Sequence, residues 1–521
     1  MLDTSLRRRF GRRFDLAVST FCVCAFSLLV AVAGRAAGED VPAPDANATP
    51  KEQVAPASQS NSVIRVNSTN QPYDFFRPWS KKAPANHRGL GVVVAGSRVL
   101  VAAELVGNSN YIELEKPDTG EKSTAAIQVV DFEADLALLR PNDPGFLAGF
   151  QPLDVDPDVR VGDKLAVLQL EANGTPVSTQ AVVTSAEVGR YELEDTAFLL
   201  FRMSCPLQGR DNSFTLPIVK ADRLAAVLMR YDARSQTVDA ISSPVIAHFL
   251  NEAGRDHYEG FPHLGLSFSS TRDPQLRRYL KLDEGNGGIY VTGLDPNGSA
   301  AKAGLRVGDV VLSVNHQSID ADGSYRDPIY GRLSVINLTT TVPFAGDKLP
   351  VTIMRDGVRQ TLEIALFHVP PEGYAIDPYV IGRAPRFYIL GGMVFQELTR
   401  QFLKEWGPNW NREAPQRFVY YDRYQANLFP TKRKLVILTQ VMPTKATVGY
   451  EHLNYLVVRR LNGQEITNLA DLARASQRPV DGFHKIEFEE DPHMIFLDAN
   501  EVAEQSGALQ KLYSLPTMQR L

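Results

Sequence analysis

The stretch Gly298-Ser-Ala-Ala-Lys-Ala-Gly-Leu-Arg-Val-Gly-Asp-Val-Val-Leu-Ser-Val-Asn315 decides how the chain is read. Its small residues over 300–305 predict a short helix packed on a sheet, Gly308-Asp309 a turn, and the apolar run 310–314 a strand. Before it stand His263-Leu264-Gly265-Leu266-Ser267-Phe268 and Gly288-Ile-Tyr-Val-Thr-Gly-Leu294; after it come Ile319 and the strand-like runs 349–355 and 361–366. Glycines that merely turn a small β-sandwich explain single positions, not this ordered series. A long insert over 320–341, carrying Tyr325, Arg326 and Tyr330, is expected to shape a groove on this unit.

Upstream, short β-type runs at 90–94, 99–103, 111–114, 125–130, 136–139, 164–170 and 177–188 are divided by turn residues. Strands at that spacing, without long helical periods, predict a barrel or sandwich. Val245, Ile246, Phe249 and Leu250 recur at helical spacing and close it. Downstream come Tyr388-Ile-Leu-Gly-Gly-Met-Val-Phe-Gln-Glu-Leu398, Lys434-Leu-Val-Ile-Leu-Thr-Gln-Val-Met-Pro443 and Asn454-Tyr-Leu-Val-Val-Arg-Arg-Leu-Asn462. Phe402, Trp406 and Trp410, at helical spacing between them, are expected in a core and not around a cofactor.

The 521 residues leave room for three or four domains. With 22% charged and 44% hydrophobic residues, wholesale disorder and a polytopic membrane protein are both excluded. A net charge of −5 gives no electrostatic basis for a nucleic-acid partner. Of the three cysteines, Cys22 and Cys24 fall in a segment expected to be removed, so Cys205 alone cannot build a disulfide framework or a thiolate metal cluster. There is no P-loop, dinucleotide fingerprint, His-x-x-x-His or Cys pair, and neither a cofactor nor a metal is expected.

At the N-terminus Arg7, Arg8, Arg9, Arg12 and Arg13 precede an uncharged apolar run over 16–33 that ends in Ala31-Val32-Ala33. That order predicts a signal peptide over 1–36 and a chain exported to the periplasm or another extracytoplasmic compartment; left uncut, the run is long enough to anchor it in the membrane. Residues 37–84 read as a disordered linker, poor in large apolar side chains to about Asn70, followed by an aromatic strap of Tyr73, Phe75, Phe76 and Trp79. The four aromatics either pack on the next domain or join subunits.

Taken in order, Gly89-Leu-Gly-Val-Val-Val94, Val101-Ala-Ala-Glu-Leu-Val106, Asp135-Leu-Ala-Leu-Leu139, Val161-Gly-Asp-Lys164, the segment 185–190 and Asp211-Asn-Ser-Phe-Thr-Leu-Pro-Ile-Val219 resemble the trypsin-like domain of the HtrA/Deg (Do-like) serine proteases. The series from His263 to Ile319 resembles their first PDZ domain, and the chain from Tyr388 resembles a divergent second one, tail 509–521 included. The resemblance implies a mainly β fold with some α: a trypsin-like double β-barrel over 85–255, PDZ domain 1 over 260–370 and PDZ domain 2 over 385–521. In the first, Leu264-Gly265-Leu266 would offer backbone N–H groups to a peptide carboxylate, and the strand after them would pair with the peptide. Leu390-Gly391-Gly392-Met393 is a possible second carboxylate loop. Partners would be peptide C-termini or unfolded proteins, and a homo-oligomer, a trimer, would be joined through Tyr73, Phe75, Phe76 and Trp79.

A working member needs His, Asp and Ser in that order. Asp135 matches, but the strand-ending Ala-Ala-His of the family is here Ala102-Ala103-Glu104. A carboxylate of reference pKa about 4.3 is a poor base, and beside Asp135 it adds repulsion. Around Ser213 the family's Gly-Asn-Ser-Gly-Gly-Pro is replaced by Asp211-Asn212-Ser213-Phe214-Thr215-Leu216-Pro217, one residue longer; residues other than glycine are not expected to take the φ > 0 conformations of an oxyanion loop cheaply. Two functions remain: a pseudoprotease scaffold or chaperone binding peptides through PDZ domains in extracytoplasmic quality control, or a serine endopeptidase using Ser213 with an unconventional base.

Overall fold

The computed structural model describes residues 53–55, 61–191, 196–209, 215–282, 285, 287–429 and 433–521; the expected signal peptide and the first part of the linker lie outside them. Strands β1 (Val63–Asn70), β2 (Ala85–Val94), β3 (Arg98–Val101), β4 (Ser109–Glu115), β5 (Lys122–Asp131) and β6 (Leu136–Pro141) close a barrel in the order β1-β2-β3-β6-β5-β4. A one-turn helix, α1 (Ala103–Val106), follows β3, so the expected strand 99–103 ends early. β1 corrects the linker expectation: it is a barrel stave, paired with β2 from Val63↔Val92 to Asn70↔Ala85. Its inward positions include the buried Ser68 and Asn70, which bond to each other, and Asn70 Nδ2 donates to the Leu105 carbonyl at 3.2 Å.

A second closed sheet uses β7 (Lys164–Leu170), β8 (Pro176–Arg190), β9 (Ala197–Ser204), β10 (Pro217–Lys220), β11 (Arg223–Asp232) and β12 (Thr237–Ser242), with β7 pairing both β10 and β8. Helix α2 (Ser243–Glu252) closes it and buries Val245, Ile246 and Phe249, as their spacing predicts.

The third unit is a sheet in the order β13 (Leu266–Ser270), β14 (Ile289–Leu294), β15 (Val310–Val314), β18 (Lys348–Arg355), β19 (Val358–Ala365), with a hairpin of β16 (Ser324–Asp327) and β17 (Gly331–Ser334) beside it. The small-residue run forms helix α3 (Ser299–Lys302), with Ala300 fully buried. β13 is an edge strand.

The fourth unit has the order β25 (Met494–Asp498), β24 (Phe483–Phe488), β23 (Leu456–Leu461), β22 (Val436–Val441), β21 (Met393–Glu397), β20 (Phe387–Leu390), β26 (Gln519–Arg520). Helix α6 (Ala499–Leu512) packs on it through Val502 and Leu509. Between β21 and β22 lies a helical insert that includes α4 (Gln416–Arg423) and α5 (Gln425–Leu428); Phe402 and Phe418 are buried in its core, with Trp406 and Trp410 packed against them.

Candidate functional site

At the position of the triad histidine, Glu104 lies exposed in the first turn of α1. Asp135, just ahead of β6, is 4% exposed and has φ 52°, a left-handed conformation that Asp tolerates. The expected pair is therefore brought together, but through the backbone. The Asp135 carboxylate accepts the Glu104 N–H at 2.8 Å, and the Asp135 carbonyl accepts the Ala103 N–H at 3.1 Å. This carboxylate holds the start of a helix, a role an anionic side chain fills well. Ser213, with Asp211, Asn212 and Phe214, lies outside the described residues. Thr215 does take φ 53°, against the expectation that threonine avoids it; its buried Oγ1 donates to the Leu90 carbonyl at 2.9 Å and pins the turn.

His248 does not take the missing place. His87 lies within β2, opposite Ser68. His248 of α2 is sandwiched between Phe261 and Phe344, with ring centroids 4.2 Å from each. Its Nδ1 lies 3.1 Å from the Thr341 carbonyl, which places the proton there, and burial pushes its pKa down to about 4.

The loop Leu264-Gly265-Leu266 has the form a carboxylate nest requires. Gly265 has φ +70°, and a Cβ there would come within 3.1 Å of Gly298 Cα. The carbonyls of Leu264 and Gly265 are held by the N–H groups of Ala300 and Asp295, at 2.9 and 2.8 Å. The N–H groups of Leu264 and Gly265 have no hydrogen-bond partner among the described residues. With edge strand β13 the loop opens into a cavity of about 1050 Å3. Its lining comes from the barrels (Glu133, Phe198), the third unit (Leu264, Ile336) and the helical insert (Trp410, Tyr424). The insert 320–341 shapes this groove through Val335, Ile336, Thr339 and Thr340; Tyr325 is instead buried with Asn337, and Tyr330 packs on Phe201.

Leu390-Gly391-Gly392-Met393 is not a second open loop. All four residues are buried, a Cβ on Gly392 would meet the Met442 carbonyl at 2.5 Å, and the edge of β21 beyond them is already paired with β20 from Phe387↔Gln396 to Leu390↔Met393. The aromatic strap packs within the chain. Phe75 is 4% exposed in the core of the helical insert, Phe76 stands edge-on to Phe402 and Trp406, Trp79 packs on Phe387, and Tyr73 carries Lys81 and Arg520 over its ring. Gln396 and Gln440 donate to the Phe75 and Phe76 carbonyls. The four aromatics pack on the fourth unit and not on the barrel that follows them in sequence.

One cluster was missed from sequence. Glu133, two residues before Asp135, sits 3.2 Å from His368 Nε2 and accepts the Tyr379 hydroxyl, while Asp131 accepts the Tyr258 hydroxyl at 2.6 Å. Burial and the neighbouring Glu133 hold the Asp131 carboxyl above the usual range; burial opposes protonation of His368, but Glu133 outweighs it and raises its pKa. The partners lie more than 120 residues from the acids in sequence, and the only local signal was the acidic spacing Asp131, Glu133, Asp135.

Residues 262–366 and 376–519 each match the family described as PDZ domain. Protease Do-like 2, chloroplastic, of Arabidopsis thaliana is 25% identical over 475 residues, covering 90% of this chain and 76% of its own. Periplasmic serine endoprotease DegP of Escherichia coli (strain K12) is 25% identical over 287 residues, covering 53% of this chain and 56% of its own. Among solved structures, HtrA-type protease AlgW with decapeptide has a TM-score of 0.46 at 18% identity, over 60% of this chain and 98% of its own. Two packed β-barrels closed by a helix and followed by two PDZ units define a trypsin-fold protein with tandem PDZ domains. The chain belongs to the HtrA/Deg (Do-like) family.

Proposed function

We propose that this chain is an exported, non-proteolytic HtrA/Deg protein that holds peptide C-termini or unfolded segments in its first PDZ domain, as a scaffold or chaperone in extracytoplasmic quality control. The observation that carries this reading is the side chain at the triad histidine position: Glu104, exposed in the first turn of α1, offers a carboxylate where a triad needs an imidazole. Losing the general base costs several orders of magnitude in rate. The retained capacity is peptide binding, supported by the unpartnered N–H groups at Leu264 and Gly265 beside a free strand edge.

Purified protein is expected to leave casein intact, with Ser213→Ala changing nothing, and Glu104→His alone is expected not to restore cleavage. Casein cleavage abolished by Ser213→Ala would overturn the reading in favour of an endopeptidase. Export rests on the arginine cluster and the apolar run over 16–33; N-terminal sequencing of the mature protein should begin near Gly34 or Ala37.

A further inference from the structure

The cavity at the first PDZ loop has a second wall that a lone PDZ domain lacks. Helix α5 of the fourth unit's insert packs near β14, and Trp410, Arg423 and Tyr424 line the same cavity as Leu264 and Leu266. Its volume of about 1050 Å3 exceeds the roughly 300–1,000 Å3 of ordinary small-ligand pockets, so it has room for several peptide residues. The rings of Tyr420 and Tyr424 lie 4.8 Å apart on the insert, both more than 40% exposed, and continue this wall outward as an aromatic surface.

The cavity lining holds three acids and three arginines, but they are not all paired with one another. Glu133 is taken up by His368 and Tyr379, and Asp422 by the buried Arg400 at 2.9 Å. Arg190 of β8 and Arg423 of α4 line the cavity with no ion-pair partner among the described residues. Asp295 is the remaining acid. Its Oδ1 accepts the Asn297 N–H and its Oδ2 is buried with no hydrogen-bond partner among the described residues, while its Cβ lies 3.2 Å from where a Gly265 Cβ would stand, so its charge stands in the loop wall and not at the insert.

We infer that the site is composite: its ligand is an extended peptide C-terminus with an acidic side chain upstream of the terminal residue, gripped between β13 and the insert by Arg423 and Tyr424. This rests on the peptide-binding reading above and adds a partner chemistry to it. The loop would take the terminal carboxylate, β13 the backbone, Tyr424 an apolar or aromatic side chain, and Arg423 the acid.

The test uses the full chain and fluorescent peptides in an anisotropy titration: a tripeptide with a free apolar C-terminus, and two decapeptides ending in it, with glutamates or lysines at the fourth to sixth positions from the end. Wild type should bind the glutamate decapeptide at least about fivefold tighter than the lysine one. Arg423→Glu, a change at an exposed position, should reverse that preference, and Tyr424→Ala should weaken both decapeptides by a larger factor than it weakens the tripeptide. Equal binding of the two decapeptides, or an Arg423→Glu profile like wild type, overturns the composite site while tripeptide binding leaves the PDZ reading standing. Failure of every free-carboxylate peptide to bind overturns both.

Discussion

Asp135, at the position of a triad aspartate, anchors the start of α1. Its carboxylate is buried, accepts the Glu104 N–H and belongs to a residue at φ 52°. Asp135→Ala should therefore lower unfolding stability by about 1–3 kcal/mol in urea denaturation, since a part-buried N–H loses its acceptor and alanine strains the left-handed backbone. Asp135→Asn should cost less, because its amide oxygen still accepts and asparagine tolerates that conformation. His248 gives a second prediction. Its folded pKa of about 4 lies below the unfolded value near 6.5, so between those pH values the unfolded chain binds a proton the folded chain refuses. Stability should fall as pH drops from about 6.5 towards 4, by up to about 1.4 kcal/mol per pH unit. His248→Phe keeps the stack with Phe261 and Phe344 and should remove that slope while imposing a pH-independent loss of the Thr341 contact. Parallel slopes for wild type and variant would contradict the burial argument.

Among the elements, those whose signal is local were legible. The glycine series from Gly288 to Gly308 marks turns whose conformations only glycine takes cheaply, as at Gly288 with φ 110° and Gly308 with φ 99°, and the first PDZ unit follows from it. β1 was not legible, because two of its inward positions are Ser68 and Asn70, polar residues satisfied by each other and by Leu105; hydrophobic alternation stops at Val66 and composition alone reads as linker. The closed edge of the second PDZ unit was equally hidden, since Gly391-Gly392 looks the same whether the strand beyond it is free or paired by β20. The strap was visible as four aromatics, but its acceptor surface lies more than 300 residues away. Phe75→Ala should cost about 3–5 kcal/mol of stability, as for other buried phenylalanines, and leave the sedimentation mass unchanged. A mass decrease without loss of stability would restore the subunit-contact reading.

In the whole molecule, the barrels, the PDZ units and the strap meet around shared ground. Phe75 and Phe76 tie the chain beyond β1 to the fourth unit, Glu133 ties the Asp135 loop to His368 and Tyr379, and the first PDZ groove has walls from three units. Glu104, at the triad histidine position, therefore sits in a molecule whose loop 264–266 opens into a cavity walled by three units. The proposal that this chain binds without cutting is tested most directly by labelling the folded, purified protein with an active-site-directed fluorophosphonate and locating any adduct by mass spectrometry. No adduct at Ser213 is predicted, at a level indistinguishable from Ser213→Ala under conditions that label an active serine protease to completion. Stoichiometric modification of Ser213 would contradict it, because it would mean that the serine is activated despite Glu104 and that the chain is a working endopeptidase.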